Sequence, residues 1–127
     1  MEANEPLRAV RAAAAAHPGL ALLVLFGSRA RGTAAEGSDW DFGYLAQGRI
    51  DPAALLAALV LVLGTDRVDL VDLSTASGLL RYRAARDGEL VWGDSDAFER
   101  FWLDAVHFWC DTEPVLRPAY EALLADL

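Results

Sequence analysis

The sequence has no lysine, a single cysteine and no apolar run longer than eleven residues. Each shortage excludes something. Cys110 cannot close an internal disulfide by itself, so packing must hold the fold. The run from Ala53 to Leu63 falls well short of the roughly 20 residues that cross a bilayer, and no membrane association is expected. Positive charge is scarce: eleven arginines stand against nineteen acidic residues, for a formal charge of −8. That balance excludes a generic nucleic-acid coat, which needs a clustered positive surface to release counterions. Residues 1–9 lack the charged-then-apolar pattern of a secretion leader, so the cytoplasm is the expected compartment.

What is present is a dense apolar chain. With 54% hydrophobic residues in 127, it reads as one packed domain spanning 1–127, with a core over about 5–95 and a helical segment over 95–127. Pro6 and the alanine run to Ala16 predict a first helix, stopped by His17-Pro18-Gly19. Leu20 to Phe26 has no alternation, the pattern of a strand covered on both faces. Residues 29–35 have room for two helical turns before Gly37. Asp39 to Leu45 alternates as a second strand. Asp51 and Pro52 open a helix to about Val62, with Gly64 as its stop. A third strand is predicted over Arg67–Leu73, then a helix capped by Ser74 or Thr75 and running to Asp87. Leu90 to Trp92 makes a short edge strand, and Asp94 or Ser95 opens a long helix through Asp111. Pro114 and Pro118 interrupt the chain before a last helix over Tyr120–Leu127. Alternating helices and strands place the chain in the α/β or α+β class, with a small mixed β-sheet flanked by helices.

Three features carry chemistry. Gly27-Ser28 directly follows a buried strand and precedes a short helix, where free amides and a hydroxyl can bond phosphate oxygens. Arg29 and Arg31 bring positive charge to the same spot; a plain turn is the bland alternative. Asp39-x-Asp41 puts two carboxylates on one face of a strand, roughly 7 Å apart. Such hard oxygen ligands suit magnesium, unless both simply face solvent. Asp69 lies among apolar residues in Val68-Asp69-Leu70-Val71, where an unpaired carboxylate is costly to bury, so it must reach solvent, a partner or a metal. Asp72 competes with it, but falls on the opposite face and nearer the strand end.

At these residues the chain resembles a known family. Gly27-Ser28, ten residues, then Asp39-Trp40-Asp41 resembles the signature of polymerase-β-type nucleotidyltransferases. The text from Phe26 to Gly32 and from Ser38 to Phe42 is similar to the minimal nucleotidyltransferase branch, which contains antitoxins paired with HEPN-domain toxins. Asp69 matches the family's third aspartate, and Leu80 to Trp92 resembles its closing helix and strand. The likeness covers residues from about 5 to 95. It implies a polymerase-β-like core in which Asp39, Asp41 and Asp69 hold two magnesium ions and carry catalysis. Gly27, Ser28, Arg29 and Arg31 would bind the nucleotide, with ATP as substrate. It further implies AMP transfer to a tyrosine of a HEPN-type RNase toxin encoded by an adjacent gene, as an antitoxin. Homo- or hetero-oligomers are compatible with such a partner. A non-catalytic binding module and a small-molecule nucleotidyltransferase of the aminoglycoside type are the competing readings.

The remaining features read plainly. His17 ends a helix facing solvent, His107 has no companion at zinc-ligand spacing, and Cys110 is a small packed residue. Phe98, Phe101, Trp102, Ala105, Phe108 and Trp109 form a helical stripe that either packs on the sheet or stays partly open to a partner. Arg81, Arg83 and Arg86 are expected on a solvated helix face.

Overall fold

A computed structural model describes residues 5–35, 37–111 and 117–125. In chain order the elements are α1 (Glu5–Ala15), β1 (Leu20–Phe26), α2 (Ser28–Arg31), β2 (Trp40–Ala46) and α3 (Pro52–Leu63). They continue as β3 (Val68–Asp72), α4 (Gly78–Asp87), β4 (Glu89–Gly93), α5 (Ser95–Asp111) and α6 (Arg117–Ala125). The four strands form one mixed sheet in the order β3-β2-β1-β4. β1 is antiparallel to β2 and β4, whereas β2 and β3 run parallel. A parallel pair cannot be joined by a tight turn, and α3 supplies the crossover.

The sheet is packed on both sides. Leu7, Val10 and Ala14 recur along one stripe of α1 and meet Leu55 and Leu59 of α3 over Leu23, Leu25, Phe42 and Tyr44. On the other face, Ala84 and Ala85 of α4 and Phe101 and Ala105 of α5 pack with Phe26 and Leu73. β1 sits at the centre, and every residue except Ala21 is buried, as its unbroken apolar run requires. Alternation along β2 has a consequence for chemistry. Phe42 and Tyr44 point to the α1–α3 layer, so Asp41 and Gly43 project towards the α4–α5 layer. Gly43 leaves room for Leu73, whose side chain a β-carbon there would meet at 2.8 Å.

Local signals set the ends of the elements. The Asp51 carboxylate accepts from the amides of Ala53 (3.1 Å) and Ala54 (3.2 Å), capping α3, with Pro52 in the first turn. Gly64 ends that helix at φ +69° and returns its N–H to the carbonyl of Val60. Gly32 does the same for α2 at φ +76°, so this helix stops at Arg31 and does not extend through residue 35. The cap of α4 is Ser77, not Ser74 or Thr75. Asp72 accepts from both the amide and the hydroxyl of Ser74, and that turn delays the helix. β3 is correspondingly shorter than its apolar pattern, ending at Asp72. α6 begins at Arg117 with Pro118 in its first turn, where proline is tolerated, so Pro118 starts the helix and does not interrupt the chain. Pro114 and residues 126–127, the end of the expected last helix, lie outside the described residues.

The aromatic stripe of α5 divides between core and surface. Phe101 and Ala105 are buried and Phe98 packs beside them, while Trp102 and Phe108 remain 41% and 43% exposed. Trp109 stacks on Tyr82 of α4 at 4.5 Å. Among the described residues, no helix is long and apolar enough to cross a membrane.

Candidate active site

Gly27 leaves the buried end of β1 at φ +76°, a backbone conformation open to glycine and strained for other residues. A β-carbon here would clash with Asp41 Oδ2, so this loop and that carboxylate are in direct apposition. Ser28 opens α2, and the amide of Arg31 returns to the Gly27 carbonyl at 3.1 Å.

β2 begins at Trp40, which leaves Asp39 one residue outside the strand. Asp39 is exposed, and its Oδ1 accepts from Arg67 Nε at 3.1 Å. Trp40 N–H donates to the carbonyl of Arg67 at 2.9 Å, which fixes that residue just ahead of β3. Asp41 registers opposite Asp69 in the parallel ladder. Directly paired residues project from the same side, so these two carboxylates stand together on the α4 face. Asp72 registers with Tyr44 instead and caps its own turn.

Electrostatics follow from this crowding. The Asp41 carboxyl is held above its ordinary value of 3.8. Burial is the largest cause, followed by the charges of Asp69 and Asp39; Arg83 acts in the opposite direction, and the Asp69 carboxyl is within hydrogen-bonding reach. A cleft of about 290 Å³ is lined by Gly27, Ser28, Ser38, Asp39 and Asp41, together with Arg31, Arg67 and Arg83. Arg31 Nη1 also reaches Asp87 Oδ2 at 3.3 Å. Asp87 is pulled below its ordinary value, first by its hydrogen bonds from Arg86 and further by Arg31, against the opposing cost of burial.

Gly27, Ser28, Arg31, Asp39 and Asp41 thus converge on one cleft, with Asp69 beside Asp41. Arg29 does not join them. Successive helical residues turn by about 100°, so Arg29 and Arg31 point to opposite sides of α2. The Arg29 guanidinium lies 4.1 Å over the Trp40 ring and donates to the Ser38 carbonyl at 2.9 Å. It lines a different cavity, with Pro6, Leu7 and Glu89.

Two cleft residues do not stand out in the sequence. Arg83 does not face solvent on an open helix surface; it lines the cleft, with its guanidinium 5.8 Å over the Phe26 ring. Arg81 likewise lies over Phe101, at 5.4 Å. The available signal is Ala84-Ala85: small buried residues press α4 onto the sheet and carry the preceding arginine to its margin. Arg67 becomes visible only once parallel pairing of β2 and β3 brings it to Asp39.

The donor set fits a hard divalent cation. Asp41 and Asp69 offer paired carboxylate oxygens whose mutual repulsion a cation would relieve, and Asp39 stands close enough to add to it. Among the described residues, no three His, Cys, Asp or Glu side chains are already gathered into a cation cage. Asp39 is engaged by Arg67 and would have to leave it to join the pair.

A family model described as polymerase beta, nucleotidyltransferase matches residues 9–97. The chain is 37% identical over 97 residues to a protein adenylyltransferase MntA of Aphanizomenon flos-aquae (strain 2012/KM1/D3), covering 66% of this chain. It spans 65% of that relative's length. Among solved structures, it is similar to a chain of a toxin–antitoxin crystal structure with AMP-PNP, at 30% identity and a TM-score of 0.67, covering 99% of this chain and 98% of that one. It is also similar to a chain of the complex of tri-AMPylated Shewanella oneidensis HEPN toxin with MNT antitoxin, at 28% identity and a TM-score of 0.61, covering 98% of this chain and 93% of that one.

Proposed function

We propose that this chain, which belongs to the polymerase beta nucleotidyltransferase family, is an antitoxin that moves AMP from ATP to a side-chain hydroxyl of a HEPN-type toxin. The observation that carries this reading is the meeting of the Gly27–Ser28 loop with Asp41 in one cleft, with Asp69 paired beside Asp41 on the neighbouring strand. Likeness to a protein adenylyltransferase and to a chain of the complex of an AMPylated HEPN toxin with MNT antitoxin supports the choice of donor and acceptor.

Asp39, Asp41 and Asp69 would hold two magnesium ions. Bound there, magnesium would offset the triphosphate charge and stabilise the attacking and leaving oxygens together. Gly27 brings the backbone close to the phosphates, and Ser28 offers its hydroxyl and the amides that open α2. Arg31 adds charge from the same helix. Asp69 is exposed, so an acceptor hydroxyl can reach it and give up its proton there. The hydroxyl oxygen bonds to the α-phosphorus, the bond to the bridging oxygen breaks, and pyrophosphate leaves.

The test is the fate of the label. With magnesium and a purified HEPN-type toxin, label from the α-phosphate of ATP should enter the toxin, while label from the γ-phosphate should not. Transfer of γ-label, or of neither, would refute the reaction.

A further inference from the structure

We propose that Arg83 is a phosphate-binding residue of this cleft, bonding the polyphosphate chain of the incoming nucleotide. The inference rests on the nucleotidyltransferase reading and adds a residue from α4 to it. Three arginines line the cleft, and two already meet carboxylates: Arg67 on Asp39 at 3.1 Å and Arg31 on Asp87 at 3.3 Å. Arg83 makes no such ion pair among the described residues. Its Nε is enclosed by protein and has no hydrogen-bond partner.

Enclosing a guanidinium nitrogen without a partner is unfavourable, so something else must hold it there. Two features do. The Phe26 ring lies beneath the guanidinium, and buried Ala84 and Ala85 lock this turn of α4 onto the sheet. The result is a positive charge fixed in position with hydrogen-bond donors still unspent. It faces a cleft whose carboxylates, Asp39 and Asp41, would by themselves repel a polyphosphate. The planar fork of arginine suits phosphate oxygens better than a point charge does.

Arg81 supplies an internal control. It lies one turn-fraction away on the same helix, packs over Phe101 and also has an unpartnered Nε. Yet it lines a separate cavity with Ala21, Gln47 and Asp94, at the far end of the sheet.

Calorimetric titration with inorganic tripolyphosphate and with a non-hydrolysable ATP analogue, both with magnesium, decides the matter. Arg83→Gln and Arg83→Met should each weaken both ligands by about 10- to 100-fold. Arg83→Lys should recover part of that loss, and Arg81→Gln should bind within about twofold of the parent. Thermal melting without ligand establishes which variants are folded, and one folded Arg83 variant is enough for the comparison. Tripolyphosphate binding within about twofold of the parent in that variant would overturn the role of Arg83 and leave the proposed reaction standing. Failure of the parent chain to bind either ligand would instead overturn the proposed function, and this inference with it.

Discussion

Gly27 and Asp41 meet across the strand-to-helix turn, so closely that a β-carbon on the glycine would clash with the aspartate's Oδ2. The positive φ of Gly27 adds a second reason for glycine there. Gly27→Ala should therefore push the carboxylate out of place as well as strain the backbone. Transfer should fall by about 100-fold, the scale of an ångström's misplacement of a reacting group. Steady-state rates on a fixed acceptor, beside a circular dichroism spectrum, check this.

Asp41 predicts a trade of stability against function. Its carboxyl is held above the ordinary value by burial and by Asp69 and Asp39, so the folded state favours the protonated form. Ionisation thus costs stability at neutral pH. That cost should fade as pH falls through the raised value towards 3.8. In chelator, Asp41→Asn should melt higher than the parent at pH 7, and the gap should narrow in acid. Magnesium with nucleotide should stabilise the parent and not the variant.

Asp87 behaves in the opposite sense. Its carboxyl lies below the ordinary value because Arg86 and Arg31 donate to it, and its side chain is only 12% exposed. This stabilisation is present above the unfolded value and is lost as pH falls through the lowered one. Asp87→Ala should cost about 1–2 kcal/mol at neutral pH, since both partners remain partly wet. Denaturant titrations of parent and variant should converge below pH 3.8.

The cap of α3 offers a test away from the cleft. Asp51 satisfies two first-turn amides, and Asp51→Ala should cost about 1 kcal/mol. A melting point lower by about 4 °C with transfer unchanged is expected.

Much of this is legible in the residues because it is local. The unbroken run of β1, the Asp51–Pro52 start and Gly64 stop of α3, and the spacing from Gly27-Ser28 to Asp39 and Asp41 each act through neighbours in sequence. The parity of Asp69 and Asp72 places them on opposite faces, and the parallel ladder then sets Asp69 beside Asp41. What escapes is non-local. Arg29 and Arg31 look equivalent until the turn of α2 sends one to Trp40 and the other to the cleft. Arg83 looks solvated because its helix is rich in charge, whereas two buried alanines decide where that helix sits. Arg67 meets Asp39 across 28 residues, through a strand pairing that no short-range pattern encodes.

The most direct measurement is the intact mass of a HEPN-type partner co-expressed with this chain, in parallel with a chain carrying Asp39→Asn and Asp41→Asn. Mass increments of one or more AMP units, present with the parent and absent with the double variant, are the predicted result. An unmodified partner held in a stable complex by both versions would contradict enzymatic transfer and identify the chain as a stoichiometric binder.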